Sequence, residues 1–201
     1  RALDRAPEAI PLEEVCFRLA CVLPYTGEDP TPLLLRGLAE FPHSVLLNTA
    51  MAAISTESPD AETRKRGQDL LAHLHQQAQQ SGQSEAFAIN VSAIYHNLGN
   101  GLLRKGEALG AIHAFGCALT FKPDKEQAVR GLGQAWTLRG IQLKKQGQGE
   151  EAAAAYARAL ELNPSDGVAH VNLGGLYYRA GRWDQAIAHY QATLALGPSS
   201  H

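Results

Sequence analysis

One pattern of small, large and proline residues occurs three times in this sequence and constrains its fold more than any other feature. The three copies end at Pro123, Pro164 and Pro198. Counted in units of 34 residues, the pattern occupies positions 7, 8, 11, 20, 24, 27 and 32, and the middle copy departs from it at position 7, where Arg139 stands in place of leucine. A repeat of this period predicts stacked helical or β units, not a single globular core. Before each proline the copies read Leu98, Gly99, Leu102, Ala111, Phe115 and Ala118; Gly140, Leu143, Ala152, Tyr156 and Ala159; and Leu173, Gly174, Tyr177, Ala186, Tyr190 and Thr193.

Each copy has the features of two packed helices. The small residues at positions 8, 20 and 27 allow two helices to approach closely, and the large residues at positions 7, 11 and 24 fill the space between them. The proline at position 32 ends the second helix, since proline cannot continue it. Ala180–Arg182 and Gln146–Gln148 are predicted to be short turns between the helices.

Composition supports helices. The chain has 32 Ala and 27 Leu but only 22 Val, Ile and Thr together, which favours helix over strand. The repeated pattern resembles the tetratricopeptide repeat, a helix–turn–helix unit. The resemblance implies an all-α fold, a right-handed solenoid of about ten antiparallel helices.

Residues 84–201 are predicted to hold three clear repeats, at about 92–125, 126–166 and 167–200. The middle repeat is seven residues longer than the family unit. Because seven residues make almost two helical turns, the extension keeps the apolar face in place. We therefore expect a long first helix over about Glu126–Gln146.

The position of those extra turns has two interpretations. Leu132–Trp136 fits the family pattern as well as Gly140–Leu143 does. We favour an upstream extension, because the preceding first helix also begins early, at about Ser84.

Residues 1–83 are predicted to form degenerate repeats of the same kind. Helical spacing indicates helices at Pro11–Leu23, Pro32–Glu40 and His43–Ile54. Asp60 is the predicted cap of a longer helix that ends at about Gln80.

We expect no catalytic residue, no metal site and no cofactor. Two histidines lie two residues apart and face different ways on a helix. The cysteines are predicted to be core residues, and a pair of glutamates complements a helix dipole. These residues are His73 and His75; Cys16, Cys21 and Cys117; and Glu150 and Glu151.

The resemblance implies a concave surface lined by the first helices, at repeat positions 2, 5, 6, 9, 12 and 13. Asparagine recurs at position 6, where its amide can bind a peptide bond, and a cation recurs at position 13, where it attracts acidic segments or a terminal carboxylate. Alternatively, the asparagines brace neighbouring helices and the cations complement helix dipoles. Thr137 is placed on this surface at position 5. The predicted peptide-binding residues are Asn48, His96, Asn97, Asn100, Arg104, Lys144, Lys145, Asn172, Tyr178 and Arg179.

Two family binding schemes fit only in part. The asparagine positions are similar to the asparagine ladder of O-linked N-acetylglucosamine transferases, but Leu138 or Gly131 interrupts it. The carboxylate clamp that holds chaperone tails is matched at Asn100 and departs at its other four positions. Binding of chaperone tails by that clamp is therefore not expected.

We interpret the chain as a non-catalytic scaffold that binds a protein or peptide segment. The alternative is the substrate-docking arm of a larger enzyme, for example a glycosyltransferase, because the chain opens without Met and resembles a piece of a longer protein. The net charge of −2 gives no reason to expect nucleic acid, and no apolar stretch is long enough for membrane insertion. Three cysteines favour a reducing, cytoplasmic compartment.

The last helix is predicted to leave Ile187, Tyr190 and Leu194 uncovered, because no polar capping helix follows it. We therefore expect self-association through this end of the repeats.

Overall fold

The computed structural model describes residues 13, 15–19, 23 and 29–196, and these contain helices but no strand. The expected all-α fold is confirmed. Residues 15–19 are helical, and the described part beyond them forms nine complete helices. These are α1 (Thr31–Glu40), α2 (Val45–Ser55), α3 (Ala61–Gln80), α4 (Ser84–Lys105), α5 (Ala108–Phe121), α6 (Glu126–Lys145), α7 (Gly149–Leu162), α8 (Gly167–Arg179) and α9 (Trp183–Ala195).

Local signals in the sequence place several helix ends. The Asp60 carboxylate accepts the backbone N–H of Thr63 at 2.7 Å and so caps α3 as predicted. The predicted early start of α4 at Ser84 and the predicted length of α6 are also confirmed. Part of the predicted Pro11–Leu23 helix, including Cys21, lies outside the described residues, and residues 15–19 within it are helical.

Four turns between helices share one geometry. Each contains a glycine with φ between 69° and 81°, a left-handed conformation that glycine adopts without a Cβ penalty. The residue after each glycine donates its backbone N–H to the carbonyl five residues earlier, at 2.9–3.0 Å, which satisfies the exposed end of the helix. The four glycines are Gly82, Gly106, Gly147 and Gly181.

Two prolines of the repeated pattern, Pro123 and Pro164, follow the ends of α5 and α7. Each helix ends two residues before its proline, at Phe121 and Leu162. The residue directly before the proline has left the helical region, with φ −137° and ψ 87° at Lys122 and φ −140° and ψ 88° at Asn163. Pro198 lies outside the described residues.

Contacts divide the chain into two compact units, residues 1–101 and residues 102–201. Within the first unit, α2 packs against both α1 and α3. Within the second unit, each helix from α5 to α9 packs against the next one. In addition, α6 contacts α8, which brings together the first helices of two consecutive repeats.

The small positions of the repeat form the core of the second unit. Ala111, Ala152 and Ala159 are fully buried, as the sequence predicts. They surround two large side chains with no exposed surface, Phe115 and Tyr156. In the first unit the fully buried side chains include Leu34, Leu47 and Val91.

Close packing against glycine shows how the long helix α6 is aligned. A Cβ added at Gly140 would lie 2.6 Å from the ring of Tyr156, just as one at Gly174 would lie 3.0 Å from the ring of Tyr190. A Cβ at Gly133 would have its nearest contact at 3.6 Å, on Asn163. Gly140 thus occupies the same place as Gly174, and the extra turns of α6 lie upstream of it.

The cysteines divide between core and surface. Cys16 is buried, as predicted. The prediction that Cys117 is a core residue is wrong, because it is half-buried on α5. The neighbouring Ala118 is the residue that fills the core there, and one step along a helix turns the next side chain away by about 100°.

Candidate functional site

Helix α8 has two apolar stripes, one buried and one exposed. Ala169 and Leu173 are almost completely buried against the neighbouring helices. Val168, Val171 and Tyr178 are 54%, 47% and 57% exposed. Their spacing of three and seven residues places them on one side of the helix. We refer to Val168, Val171 and Tyr178 as the α8 face.

A hydrogen bond beside this face joins α8 to α6. The Lys144 ammonium donates to the Asn172 side-chain oxygen at 2.7 Å, and the Asn172 amide donates to the Val168 carbonyl at 2.9 Å. Because an asparagine amide has two N–H donors, one hydrogen of Asn172 remains for a ligand. The side chain therefore braces two helices and still offers a donor next to the α8 face.

The predicted cations of the second unit lie at the ends of α6 and α8. Lys144 and Lys145 are exposed in the last turn of α6, and Arg179 is the exposed last residue of α8. All three complement the negative end of a helix dipole, as the alternative interpretation has it. Lys144 and Arg179 also line one cavity.

The predicted residues on α4 form a small polar cluster. The amide of Asn100 lies 3.3 Å from the His96 Nε2, and the His96 Nδ1 lies 3.3 Å from the Asn97 side-chain oxygen. All three side chains are half-buried. Arg104 is exposed in the last turn of the same helix. The sequence predicted that these four residues share a surface, and the structure brings His96, Asn97 and Asn100 together.

Asn48 is used within its own helix. Its amide donates to the carbonyl of Ser44 at 2.8 Å and to the carbonyl of Pro42 at 3.0 Å. These bonds brace the start of α2, as the alternative interpretation of the asparagines has it. Its role in binding stays a prediction.

Thr137 does not lie on the exposed surface, which corrects the prediction from its repeat position. It is 7% exposed, and its hydroxyl lies 2.7 Å from the Asp166 carboxylate and 3.3 Å from the Gly133 carbonyl. The same carboxylate caps α8 by accepting the backbone N–H of Ala169 at 3.0 Å. The threonine is thus a contact between α6 and the start of α8.

Two histidines meet between α8 and α9. The Nδ1 atoms of His170 and His189 are 2.9 Å apart, and the His189 ring also stacks on Tyr177 at a centroid distance of 5.6 Å. Burial lowers the pKa of His189 below its ordinary value, and repulsion by His170 lowers that pKa further. The contact therefore favours an uncharged His189.

The first unit has a cleft of about 690 Å³ lined by α2, α3 and α4. At its rim the Ser44 hydroxyl is hydrogen-bonded to the Glu13 carboxylate, and the Ser44 oxygen also accepts the backbone N–H of Leu47. The predicted binding residues do not line this cleft.

Residues 137–201 match the family model of the tetratricopeptide repeat. The match covers the second half of α6 and all of α7, α8 and α9, where Gly140, Tyr156 and Gly174 pack as the repeated pattern predicts. This part of the chain therefore consists of tetratricopeptide repeats.

Known proteins similar to this chain include human protein O-mannosyl-transferase TMTC1. That protein is 31% identical over 126 residues, which is 63% of this chain and 13% of the relative. The chain therefore spans about an eighth of the length of this relative. Among solved structures, MamA is 16% identical with a TM-score of 0.42, covering 83% of this chain and 86% of MamA. YrrB, described as a TPR protein with an unusual peptide-binding site, is 16% identical with a TM-score of 0.40, covering 96% of this chain and 88% of YrrB.

Sequence reasoning on the tetratricopeptide-repeat pattern missed one cation of the second unit, Arg182. It follows the turn glycine Gly181 and lies outside the repeat positions assigned to the concave surface. One signal in the sequence could have indicated Arg182. It is a cation three residues after Arg179, and the aromatic residues Tyr177 and Trp183 are close to it in sequence.

No helix in the described part of the chain combines the length and the apolar character that crossing a bilayer requires.

Proposed function

We propose that this protein is a non-catalytic scaffold whose α8 face binds an extended protein segment. The observation that carries the proposal is the exposure of Val168, Val171 and Tyr178 on one side of a helix whose other side is fully packed. Contiguous apolar surface of this kind is typical of interaction sites, and tyrosine is enriched in them.

The polar groups beside the α8 face suit a peptide backbone. Asn172 offers one amide hydrogen and Lys144 has two further N–H donors beside its bond to Asn172. These donors can bind backbone carbonyls of a segment whose side chains contact the valines. On α4, the amides of Asn97 and Asn100 are proposed to serve the same kind of ligand.

Binding at the α8 face is expected to be modest. Burying apolar surface contributes about 25 cal/mol per Å², but a flexible segment loses conformational entropy when it is ordered. Three exposed side chains therefore support micromolar rather than nanomolar affinity, in keeping with a reversible scaffold.

A library of random peptides selected on the immobilised protein would test this proposal. Selected peptides are expected to bind Val171→Asp at least about tenfold more weakly, because the substitution places a charge in the apolar stripe. The matched control is Leu109→Asp on α5, which also introduces a charge at an exposed leucine, 61% exposed.

The proposal is overturned if the selection enriches no peptide, or if the enriched peptides bind Val171→Asp as tightly as the control variant. The variant Asn172→Ala tests the amide beside the α8 face separately. We expect this variant to weaken binding about threefold to tenfold through lost hydrogen bonds.

The similarity to protein O-mannosyl-transferase TMTC1 favours a second candidate, a repeat arm that docks substrates for a larger enzyme. The arm itself would still act by binding, through the same α8 face. Translating the open reading frame on both sides of this region decides between the two. Adjoining sequence without a catalytic domain would eliminate the second candidate.

Self-association through α9 is a further proposal. It is supported by the exposure of Ile187, Tyr190 and Leu194, which are 52%, 37% and 80% exposed in the described part of the chain. Light scattering is expected to show a mass that rises with concentration, and Leu194→Glu is expected to reduce it. A mass that stays monomeric at all concentrations contradicts the proposal.

A further inference from the structure

A cavity of about 600 Å³ lies in the second unit between two consecutive turns. One turn joins α6 to α7 and the other joins α8 to α9. Three cationic side chains and one carboxylate line it, which gives the wall a net charge of +2. They are Lys144, Arg179, Arg182 and Glu150. We refer to this space as the turn cavity.

Two of the three cations are held by neighbours that leave their charge intact. Lys144 is bonded to the neutral amide of Asn172, and the Arg182 guanidinium lies over the Tyr177 ring, 4.6 Å from its centroid. In the part of the chain that the structure describes, no carboxylate lies within salt-bridge distance of Lys144, Arg179 or Arg182. Three like charges thus meet around one cavity whose wall contains a single carboxylate, and this excess of positive charge favours an anionic ligand.

The start of α7 adds to this positive potential. Gly149 and Glu150 are the first two residues of this helix and line the turn cavity, whereas Glu151, the second acidic residue of the first turn, does not line it. No side chain caps this helix end, because Gln148 makes no side-chain cap hydrogen bond. Free backbone N–H groups at a helix start attract anions. Glu150 opposes the effect and is the one residue of the wall whose removal should strengthen binding.

The remaining wall of the turn cavity is apolar. Ala153, Leu176 and Ala180 line it, together with the ring of Tyr177. The adjacent turn also presents Tyr178 and Trp183, which are 57% and 56% exposed and pack edge to face at 5.0 Å. A ligand that fits this wall carries an apolar group beside its negative charge.

A protein segment fits better than a nucleic acid. Nucleic-acid bases need open aromatic faces on which to stack, whereas the Tyr177 ring in the wall already contacts Arg182 and His189. The rings of Tyr178 and Trp183 do not line the cavity and pack edge to face on each other. The chain as a whole carries a net charge of −2, which repels a long polyanion. A short acidic segment needs only the local positive charge.

We infer that the turn cavity binds an acidic protein segment in which an apolar residue is flanked by aspartate or glutamate. The carboxylates contact Lys144, Arg179 and Arg182, and the apolar side chain packs against Leu176 and Ala153. This site goes beyond the proposed function, because it adds a place for acidic side chains. It shares Lys144 with the polar groups beside the α8 face and adjoins that face at Tyr178. Val171 of the α8 face, however, precedes Arg179 by eight residues, about 12 Å along the helix.

The probe is the acetylated and amidated peptide Asp-Leu-Asp, titrated into the 201-residue chain and followed by NMR of backbone amides. We expect shifts at Gly147, Gly149 and Gly181, and weaker binding as the salt concentration rises. The triple variant Lys144→Gln, Arg179→Gln, Arg182→Gln is expected to bind at least about tenfold more weakly.

Single variants keep the test informative if the triple variant is poorly folded. Glu150→Gln is expected to bind the probe about twofold more tightly, since a like charge leaves the wall. Arg158→Gln, a matched loss of one cation on α7 away from the turn cavity, is expected to bind it like the wild type.

Several results would overturn the inference. The first is that the neutral peptide Asn-Leu-Asn binds as tightly as Asp-Leu-Asp. The second is that inorganic phosphate alone shifts the same amide signals to the same extent. The third is that the triple variant binds Asp-Leu-Asp as tightly as the wild type while Glu150→Gln binds it no more tightly. The uncharged variant Val168→Ala, which is expected to weaken the peptides selected on the α8 face, separates this site from that face. It is expected to leave Asp-Leu-Asp binding unchanged, so that failure of one proposal is distinguishable from failure of the other.

Discussion

The ring of Tyr156 packs directly against the backbone of Gly140, so closely that a Cβ at that position would lie 2.6 Å from a ring carbon. The ring has no room to withdraw, because Tyr156 is fully buried among Ala152, Ala155 and Ala159. This contact joins α6 to α7 and sets how closely the two helices approach.

Gly140→Ala is therefore expected to destabilise the second unit. Overpacking in a filled core costs about 1–3 kcal/mol, which exceeds the roughly 1 kcal/mol that alanine gains over glycine in a helix. The urea midpoint should fall. Gly116→Ala on α5 is the matched control, because an added Cβ there has no neighbour within 4 Å, and it should raise the midpoint. Equal shifts for both variants would contradict the close contact.

Tyr156→Phe is expected to stabilise the protein. The Tyr156 hydroxyl is buried without a hydrogen-bond partner, so its removal relieves a desolvation cost of about 1 kcal/mol while the ring stays packed. Urea unfolding at pH 8 measures the difference between wild type and variant. A lower midpoint for the variant would show that the hydroxyl is bonded in solution.

The same variant tests a pH dependence. Burial raises the pKa of Tyr156 from 10.0 to about 12. The folded state thus disfavours the ionised ring, and the stability that Tyr156 contributes is complete below pH 10 and is lost as the pH rises from 10 towards 12. The stability advantage of Tyr156→Phe should therefore grow across this interval. Parallel curves for the two proteins would contradict the raised pKa.

Local sequence signals were sufficient for most of the fold. Asp60 marked the start of α3, the spacing of small residues identified the core of the second unit, and Pro123 and Pro164 marked helix ends. Each of these signals acts over a few residues, so that it can be interpreted without knowing the neighbouring helices.

The candidate site depended on contacts that no local pattern shows. Thr137 is buried because Asp166, 29 residues later, reaches its hydroxyl. Arg182 lines the turn cavity because two turns, 34 residues apart at Gly147 and Gly181, lie next to each other. Repeat positions taken from the family predict which side of a helix is exposed, but not which polar side chains meet across helices.

His189 is expected to titrate below its ordinary pKa of 6.5. Burial is the larger cause and repulsion by His170 the smaller. His170→Asn should therefore raise the pKa of His189 without restoring it fully. An NMR titration of the imidazole signals measures the pKa of His189 in the wild type and in His170→Asn. The His189 signal is identified by its absence in His189→Phe. A midpoint at or above 6.5 in the wild type would contradict the effect of burial.

The sign of the resulting stability change follows from this shift. Because the folded state disfavours the charged ring, the contribution of His189 to stability is present above pH 6.5 and is lost as the pH falls through the lowered folded-state pKa. His189→Phe should accordingly reduce the loss of stability between pH 7 and pH 5. An unchanged loss would mean that the histidine contact does not persist in solution.

Asp166 links α6 to the start of α8, and its removal should therefore cost more than the loss of a surface cap. Asp166→Ala removes both the bond from the Ala169 backbone N–H and the bond from the Thr137 hydroxyl, for an expected loss of about 1–3 kcal/mol. Thr137→Val removes only the second bond and keeps the side-chain volume. In a double-mutant cycle the two substitutions should be coupled by about 0.5–1.5 kcal/mol, since each removes the same hydrogen bond. Additive urea midpoints would show that Asp166 acts on α8 alone and that the buried threonine is satisfied by the Gly133 carbonyl.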